Sequence, residues 1–262
     1  MTTGDSLKQA VQQQFGSAAG AYRTSQVHAA GVDLALMVQA ARLAATDEVL
    51  DAGCGAGHTA LAFAPHVAQV IACDLTPAML EQVRRLAQEQ GRHNIVTRQG
   101  DVEALPFDAA SFDVVVSRYS AHHWARPQQA LHEFARVLKP GGQFILSDVI
   151  APEDYAADTF LQTIELLRDT SHVRDHTAAE WLARLAAAGF TAAVVAEFAI
   201  PLHFGQWLQR IATPAGLAVA IRALMQGAPA EIKTRFHLPP ALTDDDFTFQ
   251  LTGAVFRAQR RA

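Results

Sequence analysis

The sequence is poor in cysteine, with only Cys54 and Cys73 among 262 residues. Two cysteines build neither a disulfide framework nor a zinc site. Each lies in an apolar stretch, where a buried thiol behaves as a small hydrophobe. A basic excess is missing too: 21 Lys and Arg stand against 26 Asp and Glu, a formal charge of -5. Such a chain has no electrostatic footprint for nucleic acid or for an anionic membrane. No apolar run approaches the roughly 20 residues of a membrane span. The opening MTTGDSLKQAVQQQF is polar and lacks a signal-peptide core, so a cytoplasmic protein is expected. Internal repeats, low-complexity tracts and Ser/Gly linkers are also absent. What is there is apolar: half the residues are hydrophobic and 18% are charged, enough for a substantial core in one large domain or two small ones.

The pattern of that apolar material alternates. Residues 27–45 read as a helix, EVLDAG (48–53) as a strand entering a glycine turn, 57–64 as a helix and QVIACD (69–74) as a strand. Thr76 and Pro77 open a helix as N-cap and first-turn proline. Strands follow at 95–101, 112–117 and 143–149, with a helix at 128–137 stopped by Lys139-Pro140-Gly141-Gly142. FDVVVS is apolar without alternation, which suits a strand covered on both faces. This rhythm predicts a doubly wound α/β sheet with parallel strands. After residue 150 it changes. Helices are expected at 155–169 and 177–188, strands at 192–200 and 247–259, and short helices broken by Pro214 and Pro229 within 204–236. The helices at 155–169 and 204–236 fall outside the rhythm and are expected to cap the carboxyl edge of the sheet.

The most informative segment is Asp51-Ala52-Gly53-Cys54-Gly55-Ala56-Gly57. Glycines after a strand let backbone approach a ligand, and in an open α/β sheet that crevice is where ligands bind. Dinucleotide sites space their glycines G-x-G-x-x-G and seat a pyrophosphate. Here the spacing is G-x-G-x-G, and Asp51 would repel a pyrophosphate but suit a cationic ligand, directly or through water. A tight structural turn is the alternative. Asp74, 17 residues after Gly57, is placed to accept both hydroxyls of a ribose. It could also cap the next helix, a role Thr76 already fills. Asp101 ends the third strand. It is either a surface turn residue or an acceptor for an adenine amine, with Leu75 and Val102 against the ring faces. The three acidic strand ends together favour a nucleoside-type cofactor over a nicotinamide one.

VLDAGCGAGHTA, ACDLTPAML, GDVEALPF, FDVVVSRYSAHHW and RVLKPGGQFILSD occur in the order and spacing of the class I S-adenosylmethionine-dependent methyltransferases. The chain most resembles the branch that includes the quinone-biosynthesis (ubiquinone and menaquinone) methyltransferases and their small-molecule relatives. The likeness is specific over about 45–150 and loose elsewhere. It implies a seven-stranded Rossmann-like sheet whose last strand is antiparallel. It also implies an N-terminal lid over 1–44, a cofactor-binding core over 45–150, and a remainder (151–262) that carries helical cap insertions at about 151–175 and 203–243. By the same resemblance Asp51, Gly53, Gly55 and Gly57 would shape the methionine end of the cofactor site. Asp74 would hold the ribose, Leu75 and Met79 would lie against the adenine, and Asp101 and Val102 would hold its edge and face. Ser117 and Arg118 would lie beneath the methionine portion, and Tyr22 would fold over the cofactor from the lid. S-adenosylhomocysteine would be the product.

His122 and His123 follow the fourth strand beside that site. A histidine titrates near neutrality, so either could take a proton from the methyl acceptor, orient it, or simply fix the loop. Tyr119, Arg168 and His172 are the candidates to face the substrate. His172 and His176 lack an evident third ligand, so no metal is expected. Trp124, Phe160, Trp207 and Phe236 are candidates for an apolar pocket wall or for plain core. No Asp/Asn-Pro-Pro-Tyr/Phe motif follows the fourth strand, which removes DNA-base amino groups as acceptors. The expected reaction is methyl transfer to an O, C or N atom of a small aromatic or hydrophobic metabolite, by a monomer or homodimer. The competing reading is a catalytically silent protein that binds the cofactor as a sensor or scaffold.

Overall fold

The computed structural model describes residues 3–24, 31–242 and 246–261. Seven strands form one sheet in the order β3-β2-β1-β4-β5-β7-β6. They are β1 (Glu48–Ala52), β2 (Gln69–Asp74), β3 (Ile95–Gln99), β4 (Phe112–Arg118), β5 (Leu138–Val149), β6 (Phe190–His203) and β7 (Thr248–Arg260). The first five pair in parallel, while β7 runs antiparallel to both β5 and β6. Burial along the strands follows position in the sheet. β4 is buried along almost its whole length, as a central parallel strand must be, whereas the edge strand β6 alternates with water.

The two faces separate by the pleat. Val49, Val114, Val116 and Ile145 face one side, where they pack with α2 (Val32–Ala40), α3 (His58–Phe63) and α4 (Pro77–Glu89) through Met37, Phe63, Leu80 and Val83. Leu50, Val115, Phe144 and Leu146 face the other, against α5 (Pro127–Val137) and α7 (Ala178–Ala187) through Phe134, Trp181 and Leu185. A third cluster unites α6 (Tyr155–Arg168), α8 (Phe204–Gln209), α9 (Ala215–Gly227) and α10 (Ala230–Arg235) with the ends of β6 and β7. Its centre is Leu161, Ile164, Trp207, Ile221, Met225 and Phe249. The N-terminal helix α1 (Thr3–Thr24) contributes Ala19 and Phe15 to a small cluster with Ala56 and Met79.

Strand order reverses between β1 and β4, whose neighbours lead away in opposite directions. That switch point opens a crevice at the carboxyl ends of the strands. Two expectations need correction. The helix read over 27–45 spans only Val32–Ala40 among the described residues, because Ala41 turns extended and Arg42 is clipped by Gln143. Gln143 accepts from the Arg42 N–H and donates to its carbonyl, both at 3.2 Å, which replaces the next helical turn. Lys139-Pro140-Gly141-Gly142 stops α5 but also belongs to β5, which starts at Leu138 and slips register between its pairings to Phe112 and Val114.

Candidate active site

At the end of β1 the chain turns over Gly53, Gly55 and Gly57, with φ of +72°, +49° and +94°. Each lies in the left-handed region, which costs glycine little. A Cβ at Gly53 would stand 2.1 Å from the Ser120 hydroxyl oxygen, so the bare backbone lets the β1 and β4 turns touch. At Gly55 an added Cβ would meet nothing, and its N–H donates to Asp74 Oδ2 at 2.9 Å. A Cβ at Gly57 would meet Val83 at 2.9 Å, which makes Gly57 a packing contact with α4 and not part of the wall.

Above the turn lies a cleft with about 960 Å³ of empty space, part of it open to solvent. It brings together Gly53, Gly55, Asp74, Leu75, Met79, Asp101, Val102, Arg118, Tyr119 and His123 from the residues singled out in the sequence. Asp74 Oδ1 accepts the Thr76 N–H at 2.8 Å and Oδ2 accepts that of Gly55. The Thr76 side chain makes no cap bond, so Asp74 does the work expected of Thr76 and also ties the glycine turn to β2. Burial pushes the Asp74 carboxyl up against these two donors.

Asp51 is fully buried one layer behind the wall and does not line the cleft. Neither of its oxygens completes a hydrogen bond among the described residues. Burial raises this carboxyl to about 7, against a lowering pull from the Ala60 backbone. Ser117 is also behind the wall, its hydroxyl donating to the Ala52 carbonyl at 2.7 Å. Tyr22 belongs to α1, but its side chain lies outside the described residues.

Of the α1 residues on the wall, Phe15 lies in the amphipathic stretch expected to fold over the cofactor, and Lys8 and Val11 carried no sequence signal. Lys8, Val11 and Phe15 of α1 close the cleft from above. The Lys8 ammonium lies 2.6 Å from both Asp101 Oδ2 and Glu103 Oε2, and Gln12 donates to the Leu75 carbonyl at 3.0 Å. Asp33 had a signal that went unread, as an acid on the apolar helix VDLALMVQA. It is buried and pairs with Arg118 through Nε and, at 2.8 Å, through a terminal nitrogen. The Arg118 guanidinium lies over the Tyr119 ring, 4.6 Å from its centroid. Tyr119 takes a left-handed φ of +48°, and burial pushes its phenol up.

Tyr119 and His123 line a second chamber as well, with about 560 Å³ of empty space that is partly open to solvent. His122, Arg168, Glu165, Asp169, Trp207 and Arg210 complete its polar side, and Val149, Ile200, Leu202 and Leu251 its apolar side. His172 lines neither space. Its Nε2 meets Gln162 Oε1 at 3.1 Å, and burial lowers its imidazole to about 3. His176 meets Glu180 at 3.3 Å, so the two histidines are spent on separate local partners.

The adjacent histidines have opposite electrostatics. His122 Nδ1 lies 2.7 Å from Asp148 Oδ1, and Asp148 also accepts the N–H groups of Ala121 and Val149. Burial disfavours the imidazolium, yet Asp148, with Asp175 behind it, raises His122 to about 9. His123 Nδ1 meets the Ser171 carbonyl at 3.0 Å. A carbonyl only accepts, so the proton is on Nδ1 and the Nε2 lone pair is left free. Asp169 is 3.9 Å from that Nε2, too far for a hydrogen bond. Burial and the neighbouring His122 charge hold His123 down to about 4. At neutral pH the pair is therefore a fixed cation beside a neutral base.

A methyltransferase-domain family model matches residues 50–146. The chain is 38% identical to the uncharacterised methyltransferase YcgJ of Bacillus subtilis over 94% of this chain and 98% of that one. The crystal structure of YcgJ superposes with a TM-score of 0.84 at 37% identity, covering 87% of this chain and 98% of its own. The uncharacterised protein YafE of Escherichia coli is 43% identical over 73% of this chain and 90% of YafE. A demethylmenaquinone methyltransferase of Clavibacter sepedonicus is 33% identical over 54% and 59%.

Proposed function

The chain belongs to the class I S-adenosylmethionine-dependent methyltransferases, and from that premise we propose that it methylates an O, C or N atom of a small apolar or aromatic metabolite held in the second chamber. The observation that carries this reading is the shared wall: Tyr119 and His123 face both the glycine-rimmed cleft and the chamber. A transfer between two bound molecules needs that adjacency.

The residues of the cleft fit S-adenosylmethionine. Gly55 leaves the turn open to close approach, and the buried Asp51 carboxyl behind it, which a neighbouring positive charge would hold ionised, favours a cationic ligand. Asp74 would hold the ribose, Leu75, Met79 and Val102 the adenine faces, and Asp101 the adenine edge. Arg118, tied by Asp33, would stiffen the floor without offering a mobile charge. When bound, the cofactor supplies a methyl group already activated on sulfur. The protein's part is alignment, exclusion of water by α1, and proton handling. Alignment can contribute about 7–11 kcal/mol at best. An acceptor that bears a proton would hand it to His123 Nε2, while His122, held cationic by Asp148, would orient an electron-rich acceptor atom.

The test has two parts. Isothermal titration is expected to show S-adenosylhomocysteine binding, and a labelled-methyl assay with metabolite extract is expected to yield a labelled small molecule. Binding without any labelled product would assign the chain as a sensor or scaffold. Absence of binding would remove the cofactor assignment.

A further inference from the structure

The second chamber has a polar side that its own residues leave incomplete. Arg168 is nine-tenths buried, with 9% of its side chain exposed. Its Nε donates to the Trp207 carbonyl at 3.0 Å and its guanidinium lies 4.9 Å from the Trp207 ring centroid, so its plane is fixed. Among the described residues its two terminal nitrogens make no hydrogen bond. The nearest acid, Glu165, stands 3.5 Å from one of them, outside good hydrogen-bond range. Asp169 is committed elsewhere, accepting the Ser171 N–H at 2.8 Å and the Ser171 hydroxyl at 2.6 Å.

A guanidinium fixed in this way offers a planar fork of donors that matches a carboxylate. Arg210 and the His122 imidazolium stand on the same wall. Burial raises the Glu165 carboxyl, which weakens its competition for the fork. Opposite lie Ile200, Leu202 and Leu251, each buried, with nothing polar to offer. The chamber is open on one side, so a ligand can enter it with its polar end against this wall.

We propose that the chamber binds carboxylic acids with an apolar aliphatic or aryl body, the carboxylate docking on the terminal nitrogens of Arg168 and the body lying along Ile200, Leu202 and Leu251. This rests on the reading of the chamber as the acceptor site, and narrows it. The carboxylate is a recognition handle for the acceptor, and the docking step itself moves no bond or proton.

The experiment uses the full chain saturated with S-adenosylhomocysteine. Decanoic and 4-phenylbutyric acids are titrated beside decanamide and 4-phenylbutyramide, which have the same bodies and no charge. The acids are expected to bind about tenfold more tightly or better, the worth of a charge-assisted hydrogen bond pair. Arg168→Gln is expected to reduce that preference to about twofold without changing S-adenosylhomocysteine affinity, and Arg168→Lys to fall between. Equal binding of acid and amide, tighter binding of the amides, no binding of either at millimolar concentration, or a preference that survives Arg168→Gln would each overturn the proposal. The acid–amide comparison on the unaltered protein decides the matter even where a variant fails to fold. Failure of S-adenosylhomocysteine to bind would instead overturn the functional reading, so the two failures are told apart.

Discussion

The cleft draws most of its wall from the segments that follow β1, β2 and β3, at residues 53–59, 74–79 and 100–103. The chamber beside it collects residues from 119 to 251, off the turn after β4, the ends of two helices and three strands. In the first, local bonds do part of the positioning, Asp74 Oδ1 accepting the N–H two residues on and Asp101 accepting the Glu103 N–H, while Gly55, Lys8 and Asp33 reach Asp74, Asp101 and Arg118 from 19, 93 and 85 residues away. In the second, both histidines and the arginine are positioned from far away: His122 by Asp148, His123 by Ser171 and Arg168 by the carbonyl of Trp207. A site made of local turns can be reused with any partner surface, and one made of distant contacts has to be rebuilt for each ligand.

If that division holds, variants of the two regions separate by readout. The largest expected effect is in the chamber. His123→Gln is expected to lower kcat by about 10²- to 10⁴-fold for an acceptor that loses a proton, a far larger change than any in S-adenosylhomocysteine affinity by calorimetry. The pH–rate profile of the unaltered enzyme should keep its activity well below pH 6.5, since His123 is held down to about 4.

Next is Asp148→Asn, read as stability. His122 is held up to about 9 in the folded chain and reverts to about 6.5 when unfolded. The folded state thus keeps a proton that the unfolded state releases, and this contribution is full below pH 6.5 and lost as pH rises to 9. Its size is on the order of 3 kcal/mol, and denaturant unfolding of the variant should show both the loss and a flatter slope across that window. His123 has the opposite sign, since its folded form refuses a proton that the unfolded chain takes up as pH falls from 6.5 to 4.

In the cleft, Asp74→Ala is expected to weaken S-adenosylhomocysteine binding about 10- to 100-fold, the worth of one or two hydrogen bonds to a charged group. Unchanged affinity would remove the ribose assignment. The smallest effect is expected from Lys8→Ala. Lys8 is a partly exposed bridge to Asp101 and Glu103, worth at most about 1 kcal/mol. Freeing Asp101 should tighten cofactor binding by no more than about fivefold and reduce its salt dependence.

The elements read from the sequence coincide with the structure where periodicity and local punctuation agree. QVIACD is β2 at both ends, and Pro214 and Pro229 separate α8, α9 and α10. The antiparallel β7, implied by family resemblance, lies between β5 and β6. Sequence reasoning lost accuracy where a distant residue overrode a local signal. Gln143 ended α2 early, and Asp74 took over a cap expected of Thr76. Gly57, Asp51 and Ser117 stand behind the cleft wall, against α4, in the sheet interior and on the Ala52 carbonyl. Lys8 was silent because one lysine in a polar helix has no pattern, and Asp33 was legible only as an acid among apolar neighbours.

What the sequence settled by itself was the sheet, its glycine turn and the acidic strand ends, because backbone conformation and spacing along a strand are local properties that residue type dictates. What only the tertiary structure decided was the protonation of the two histidines and the exposure of Arg168 in a buried chamber. Those depend on electrostatic partners brought from 26 to 48 residues away, and on burial that no stretch of sequence carries alone.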